Sequence, residues 1–301
     1  MDLHDRECPI CGRSSASREY YPARVDPSRL DEYAFSSRKV PEFMHYRLLQ
    51  CEDCDLVYAN PAPAPDTLST EYEQAAYDSD VEATFAATTY AHYLAKRVLP
   101  ALGHRDGALD IGTGNGAFLR ELLDQGFTNV GGVEPSSAPI AAASSAIRPL
   151  IRQGMFRAAD FAPGSFSLVS CFQTIEHVHD PLGLARDMFK LLRPGGAAYF
   201  VSHNYRSLQA KVLRERSPIL DIEHLQLFSV ESMQRLLRAA GFERVVVFPI
   251  ANRYPLQYWL RLFPLGARPK ELLEGVLRSV QIDQLPIPLR AGNLATFGLK
   301  P

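Results

Sequence analysis

Four cysteines, Cys8, Cys11, Cys51 and Cys54, fall into two Cys-x2-Cys pairs. Two intervening residues let both thiolates of a pair face one ion, and two such pairs complete a closed tetrahedral shell. The 39 residues between the pairs are no obstacle, because loop-closure entropy grows only slowly with length. Four protein ligands leave no coordination position open, so the spacing predicts a structural zinc rather than a catalytic one. The fifth cysteine, Cys171, sits within an apolar run and reads as a buried core thiol.

A second group begins at Asp110, where Leu109-Asp110-Ile111 breaks into Gly112-Thr113-Gly114-Asn115-Gly116 and then a helical run. Glycines lack a Cβ, so the backbone can turn sharply and come close to a ligand. The spacing is Gly-x-Gly-x-Gly, not the Gly-x-Gly-x-x-Gly that seats a pyrophosphate on a helix N-terminus. Glu134 lies 22 positions after Gly112, at the predicted end of the next strand, with Pro135 closing that strand. A carboxylate there can accept both hydroxyl hydrogens of a ribose as charge-assisted bonds. A ligand with an ammonium group and a ribose but no phosphate would instead call for carboxylates such as Asp110 and Glu134.

Past the predicted fourth strand runs Gln173-Thr174-Ile175-Glu176-His177-Val178-His179-Asp180-Pro181. Ligand crevices in open α/β sheets lie off the carboxyl ends of the strands. An unperturbed imidazole has a pKa of about 6.5, which makes His177 a candidate general base for a hydroxyl proton. His203, ending the fifth strand, and His224, within Glu223-His224, are further catalytic candidates; His179 reads as a capping or solvated residue.

Positioning these groups requires alternating strands and helices. Strands are predicted at 108–112, 129–134, 150–153, 167–173, 197–203, 244–250 and 295–299, and helices at 115–125, 181–192 and 229–240. Ser229 is the expected N-cap of the last helix, with Ser232 at the reciprocal position. The fold class is therefore α/β, a Rossmann-like sheet behind a small zinc-ribbon-like module. The expected division is a zinc-binding module at 1–65, ending in a stiff proline-spaced connector, and a second domain at 66–301. Residues 66–105 form its helical extension and 251–293 an insertion, read as a lid, a dimer contact, an interfacial helix or a helix packed on its own domain. The formal net charge of -2 argues against nucleic acid as a partner. No basic leader and no apolar run approaching ~20 residues is present, so a cytoplasmic protein is expected.

From Leu109 to Leu299 the chain resembles the class I S-adenosylmethionine-dependent methyltransferases. The likeness rests on the acid-glycine loop, Val133-Glu134-Pro135, Phe166-Ser167-Leu168-Val169 and Leu191-Leu192-Arg193-Pro194-Gly195-Gly196. The resemblance implies a seven-stranded sheet with its last strand antiparallel. Asp110, Gly112 and Gly114 would then surround the methionine part of the cofactor, and Glu134 with Pro135 the ribose. Gly154 and Met155 would lie at the adenine, and Gln173 would line cofactor or acceptor. Tyr72 and Tyr77 would close over the site. The Glu176-His177-Val178-x-Asp180-Pro181 run is similar to small-molecule O- and C-methyltransferases of the ubiquinone-pathway type. With the cysteine module and Leu56-Val57-Tyr58-Ala59-Asn60-Pro61, it also resembles zinc-containing sugar and natural-product methyltransferases. Those likenesses imply O-methylation of a small-molecule or glycan-type acceptor. Two other readings stay open: an RNA base methyltransferase with a zinc ribbon, and a non-catalytic subunit that binds S-adenosylmethionine.

Overall fold

The computed structural model describes residues 3–13, 16–26, 28, 43–74, 77, 79–263 and 265–301. Ala75, Ala76 and Asp78 of the expected helical stretch and Pro264 of the expected insertion lie outside the described residues. The first part of the chain is a small sheet of β2 (Ser17–Tyr21), β3 (Leu48–Cys51) and β4 (Val57–Ala59), with β1 (Leu3–His4) paired separately to β5 (Ala62–Pro63). The proline-spaced stretch is therefore not only a connector: Leu3 lies opposite Pro63 and His4 opposite Ala62 in a short ladder. Helices α1 (Pro65–Gln74) and α2 (Asp80–Tyr93) follow.

The large sheet contains β6 (Asp106–Ile111), β7 (Thr128–Glu134), β8 (Ile151–Gln153), β9 (Phe166–Phe172), β10 (Leu192–His203), β12 (Glu243–Pro255) and β13 (Pro286–Leu299). Its order is β12-β13-β10-β9-β6-β7-β8, and β13 runs antiparallel to both neighbours. The seven strands and the reversed last one are as expected. Between strands lie α3 (Ala117–Asp124), α4 (Ser137–Ala142), α5 (Pro181–Leu191), α6 (Leu208–Leu213), α7 (Val230–Ala239), α8 (Leu256–Leu262) and α9 (Ala267–Ser279). Side chains alternate across each strand, so Leu109 and Ile111 of β6 face one core while Ala108 faces the other. The first core is closed by α5 and α7 and also by the cysteine module, through Ile10, Leu49, Leu56 and Tyr58. The second is closed by α2 and α3, with Tyr90, Phe118, Leu119 and Leu122. Cys171 is fully buried in the first core. Helix α7 opens on the expected cap: Ser229 Oγ accepts the Ser232 N–H at 3.2 Å and Ser232 Oγ accepts the Ser229 N–H at 2.7 Å.

Three strands run longer than expected. Arg193-Pro194-Gly195-Gly196 does end α5, but β10 begins at once at Leu192, paired with Phe166, and shifts register before Ala197. The β12–β13 hairpin continues through Asn252 opposite Leu289 to Pro255 opposite Pro286. Pro286 and Pro288 are tolerated because β10 ends opposite Asn293, leaving the remaining part of β13 with β12 as its neighbour. Within the expected insertion, α8 packs inward through Tyr258 and the Trp259 Nε1–H bond to Ile287 O, while α9 leaves Leu272 and Val276 exposed.

The module's sheet takes its outer strand, β11 (Gln226–Leu227), from the second half of the chain, opposite Tyr58 and Val57. A buried carboxylate locks this junction. Asp55, next to Cys54, accepts Tyr205 Oη–H at 2.6 Å, Gln50 Nε2–H at 2.8 Å and Arg206 Nε–H at 2.6 Å. Burial opposes its charge, and the Arg206, Ser229, Tyr205 and Gln50 bonds overcome that to hold the carboxyl down at about 2. Asp55→Ala is expected to lower the unfolding free energy by about 2–3 kcal/mol, less than for a wholly buried pair because Arg206 is half exposed. Urea denaturation checks this; a change under about 0.5 kcal/mol would remove the junction's role.

Candidate active site and cysteine cluster

Both cysteine pairs are built the same way. The residue after the second cysteine turns left-handed, Gly12 at φ +65° and Asp55 at φ +59°. Its N–H returns to the carbonyl of the first cysteine, Gly12 to Cys8 at 2.8 Å and Asp55 to Cys51 at 3.0 Å. These turns bring the sulfurs together: Cys8 to Cys54 3.4 Å, Cys11 to Cys51 3.4 Å and Cys11 to Cys54 3.9 Å. Four thiolates around one zinc at 2.3 Å stand about 3.8 Å apart. The cluster therefore has the dimensions of a closed tetrathiolate site.

Twelve of the other residues singled out from the sequence line one cavity of ≈ 910 Å³ off the carboxyl ends of the central strands, whereas Gly154, expected at the adenine, is not among its lining residues. The twelve are Tyr72, Tyr77, Asp110, Gly112, Gly114, Glu134, Pro135, Met155, Gln173, His177, His203 and His224. At one end, β6 turns at Gly112 (φ +73°) and Gly114 (φ +58°). A Cβ on Gly112 would collide with Thr174, whereas one on Gly114 would meet nothing within 4 Å, so the space over Gly114 is open. Glu134, from the end of β7, accepts the Gly114 N–H at 2.8 Å and the Ser136 N–H at 3.0 Å. Each of its oxygens retains a second lone pair for a hydroxyl. Burial raises the Glu134 carboxyl against the pull of those two N–H groups. Asp110 is enclosed more completely; burial pushes it up to about 7 despite the 2.6 Å bond from Ser170 Oγ–H. Met155 is 41% exposed at the cavity wall.

Gln173 follows β9 directly in a left-handed conformation, φ +50°, and neither its amide oxygen nor its amide nitrogen has a hydrogen-bond partner although both are buried. Strained backbone and unsatisfied polar atoms beside a cavity are the marks of a ligand contact. These features and the Glu134 lone pairs fit a cofactor carrying an amino-acid end and a sugar diol.

At the other end stand the histidines. His177 Nδ1 lies 3.2 Å from the Glu223 carbonyl and 3.0 Å from Tyr72 Oη. A carbonyl only accepts, so the partners assign the proton to Nδ1 and leave Nε2 basic. His224 is fixed in the same sense by Ile219 O at 2.9 Å, and His203 by Asn293 Oδ1 at 3.0 Å. The rings form a row, with centroids 4.9 Å apart for His177–His224 and 5.1 Å for His203–His224. Burial lowers His203 to about 4, so it is a neutral imidazole near pH 7. Glu176 supports the row from behind: it accepts the His203 N–H at 2.6 Å, and burial lifts its carboxyl to about 8.

Several site residues escaped the sequence reading. Glu223 was noted only as the neighbour of His224, yet its side chain reaches 3.7 Å from His177 Nδ1. Asn293 meets His203 through the β10–β13 register, and Tyr254 and Asn252 join the wall because β12 runs past its expected end. Antiparallel register between distant strands leaves no local pattern in a sequence.

A family model described as a methyltransferase domain matches residues 83–247, more than half of the chain's 301 residues. The chain belongs to that family, and its sheet order and glycine loop are those of a class I S-adenosylmethionine-dependent methyltransferase. Among curated relatives, ubiquinone biosynthesis O-methyltransferase of Pseudomonas aeruginosa (strain UCBPP-PA14) is 35% identical over 102 residues, 32% of this chain and 44% of that protein. The protein of the same name from Sodalis glossinidius is 29% identical over 102 residues, 32% of this chain and 41% of its own length. The chain thus spans less than half the length of these relatives. Among solved structures, a Thermotoga maritima S-adenosylmethionine-dependent methyltransferase, described as a possible histamine N-methyltransferase, has a TM-score of 0.49 at 18% identity, covering 73% of this chain and 91% of that one. Haemonchus contortus phosphoethanolamine N-methyltransferase 2, bound to S-adenosylmethionine, has a TM-score of 0.47 at 18% identity, covering 81% and 62%. Among the described residues no helix is long and apolar enough to cross a membrane.

Proposed function

We propose that the protein transfers the methyl group of S-adenosylmethionine to a hydroxyl oxygen of a small-molecule or glycan-type acceptor. The observation that carries this reading is the single cavity holding the Gly114–Glu134 cradle at one end and the His177, His203 and His224 row at the other. Asp110 and the glycine turn take the amino-acid end, Glu134 the ribose, and Met155 packs at the adenine. Gln173, with its two unsatisfied amide atoms, bridges cofactor and acceptor, and Tyr72 and Tyr77 cover the site. The sulfonium already activates the methyl group, so the protein's task is to align the reactants and ionise the hydroxyl. His177, with Nε2 basic, takes that proton. The name of the curated relatives, ubiquinone biosynthesis O-methyltransferase, supports oxygen as the acceptor atom. The four cysteines hold a structural zinc. Incubation with labelled S-adenosylmethionine and a panel of phenols, catechols, sugars and amines tests the reading. Label on an oxygen acceptor is the expected result; label only on amines or carbon would overturn it.

Cofactor affinity should depend on pH through Asp110. Its carboxyl sits at about 7 in the free protein, so it is largely protonated below that pH. The cofactor's ammonium favours the ionised form. The Kd for S-adenosylmethionine should therefore rise as pH falls from 8 to 6, approaching about tenfold per unit on the acid side. Calorimetry at three pH values measures this slope, which Asp110→Asn should abolish; an unchanged Kd across the range would exclude the assignment.

A further inference from the structure

We propose that His177, Glu223 and His224 form a second metal site, in the wall of the cavity, for a divalent transition ion of the zinc class. One donor atom from each residue lies within 4.8 Å of the other two, so modest rotamer shifts bring them onto one ion. Two imidazoles and a carboxylate are the donor set such ions favour. The backbone holds the ligand segments side by side before any ion arrives. Leu225 and Gln226 N–H groups both reach Glu176 O, at 2.9 and 3.2 Å. Gln226 Nε2 donates to Ile175 O at 2.6 Å and Val178 O at 2.8 Å. His177 and His224 are thus laced together from both sides. Each also sets its Nδ1 against a main-chain carbonyl, Glu223 O and Ile219 O, the kind of outer contact that orients a metal-binding imidazole. The third donor comes from Glu223, across the lacing.

This site differs in kind from the cysteine cluster. Three protein donors leave at least one position open, and that position belongs to the cavity. Its use rests on the proposed oxygen methylation. The acceptor hydroxyl coordinates the ion, its pKa falls and its proton passes to water. The resulting alkoxide attacks the methyl carbon of the sulfonium. The O–C bond forms as the C–S bond breaks, the electron pair stays on sulfur as a neutral thioether, and the metal changes neither charge nor oxidation state. In this loaded state His177 is a ligand, and the cation performs the ionisation that His177 otherwise performs directly.

The test uses the zinc-loaded full chain without cofactor or acceptor, titrated with Co²⁺. One further equivalent is expected, with visible ligand-field bands but no added thiolate charge-transfer absorption. Glu223→Gln and His224→Asn should each weaken that uptake by roughly 10–100-fold while keeping the wild-type circular dichroism and adenosylhomocysteine affinity. No second equivalent, or uptake unchanged in both variants, would overturn the site. Because no substrate is present, such a failure leaves methyl transfer untouched. Conversely, cobalt bound with no oxygen acceptor methylated removes the proposed reaction but not the site.

Discussion

His177→Ala should lower kcat by about 10²–10⁴-fold, the usual worth of a positioned proton acceptor. Its Kd for S-adenosylhomocysteine should stay within about threefold of wild type, because the interaction removed belongs to the transition state. The geometry supports that separation. The proposed cofactor cradle is held by its own bonds, Gly114 and Ser136 N–H to Glu134, and none of these involves His177. The His177 ring is instead held by Tyr72 and the Glu223 carbonyl. Single-turnover kinetics together with calorimetry measure both quantities. Turnover within tenfold of wild type would remove His177 from proton transfer, and a parallel loss of cofactor affinity would point to a disrupted cavity.

The largest effect on stability should come from the cysteines. Structural zinc supplies roughly 10–16 kcal/mol of apparent folding free energy in small modules, so Cys51→Ala is expected to cost on the order of 5 kcal/mol or more. The loss should not stay within the module. Cys8, Cys51 and Cys54 share one core with Met188 of α5 and Met233 and Leu236 of α7, so the module and that face of the sheet should unfold in one transition. Calorimetry on the variant, or on the protein after strong chelation, checks this. A folded catalytic sheet with unchanged Tm would show the module to be dispensable for stability, and elemental analysis finding no zinc in reduced wild-type protein would remove the metal.

The central strands and the glycine loop were legible because each is a local pattern. A buried run ending in glycines and opening into a helix gave β6, Gly112, Gly114 and α3, and an acid at the next strand end gave Glu134. The Cys-x2-Cys spacing is local in the same way, and the four sulfurs do converge. What failed was strand length. The strand expected at 197–203 begins already at Leu192, and β10 absorbs Pro194, Gly195 and Gly196 in a register shift. The expected strand at 295–299 is only the last part of β13, whose free edge also accepts Pro286 and Pro288. The contacts of Glu223 with His177 and of Asn293 with His203 join segments far apart in the chain, the second through the β10–β13 register. Asn293 carries no local signal, nor does the left-handed backbone at Gln173, and one partner of Asp55, Arg206, lies 151 positions away in the chain.

The strand at Gln226–Leu227 imposes an order on synthesis. As the polypeptide emerges from the ribosome, both cysteine pairs are made early, but the outer edge facing Tyr58 has to wait for a segment made much later. Until then an unpaired ladder is exposed to any extended peptide nearby. Expression at lower temperature, or with chaperones that shield such edges, should raise the yield of native protein, and fragments cut anywhere before Leu227 should be prone to aggregate.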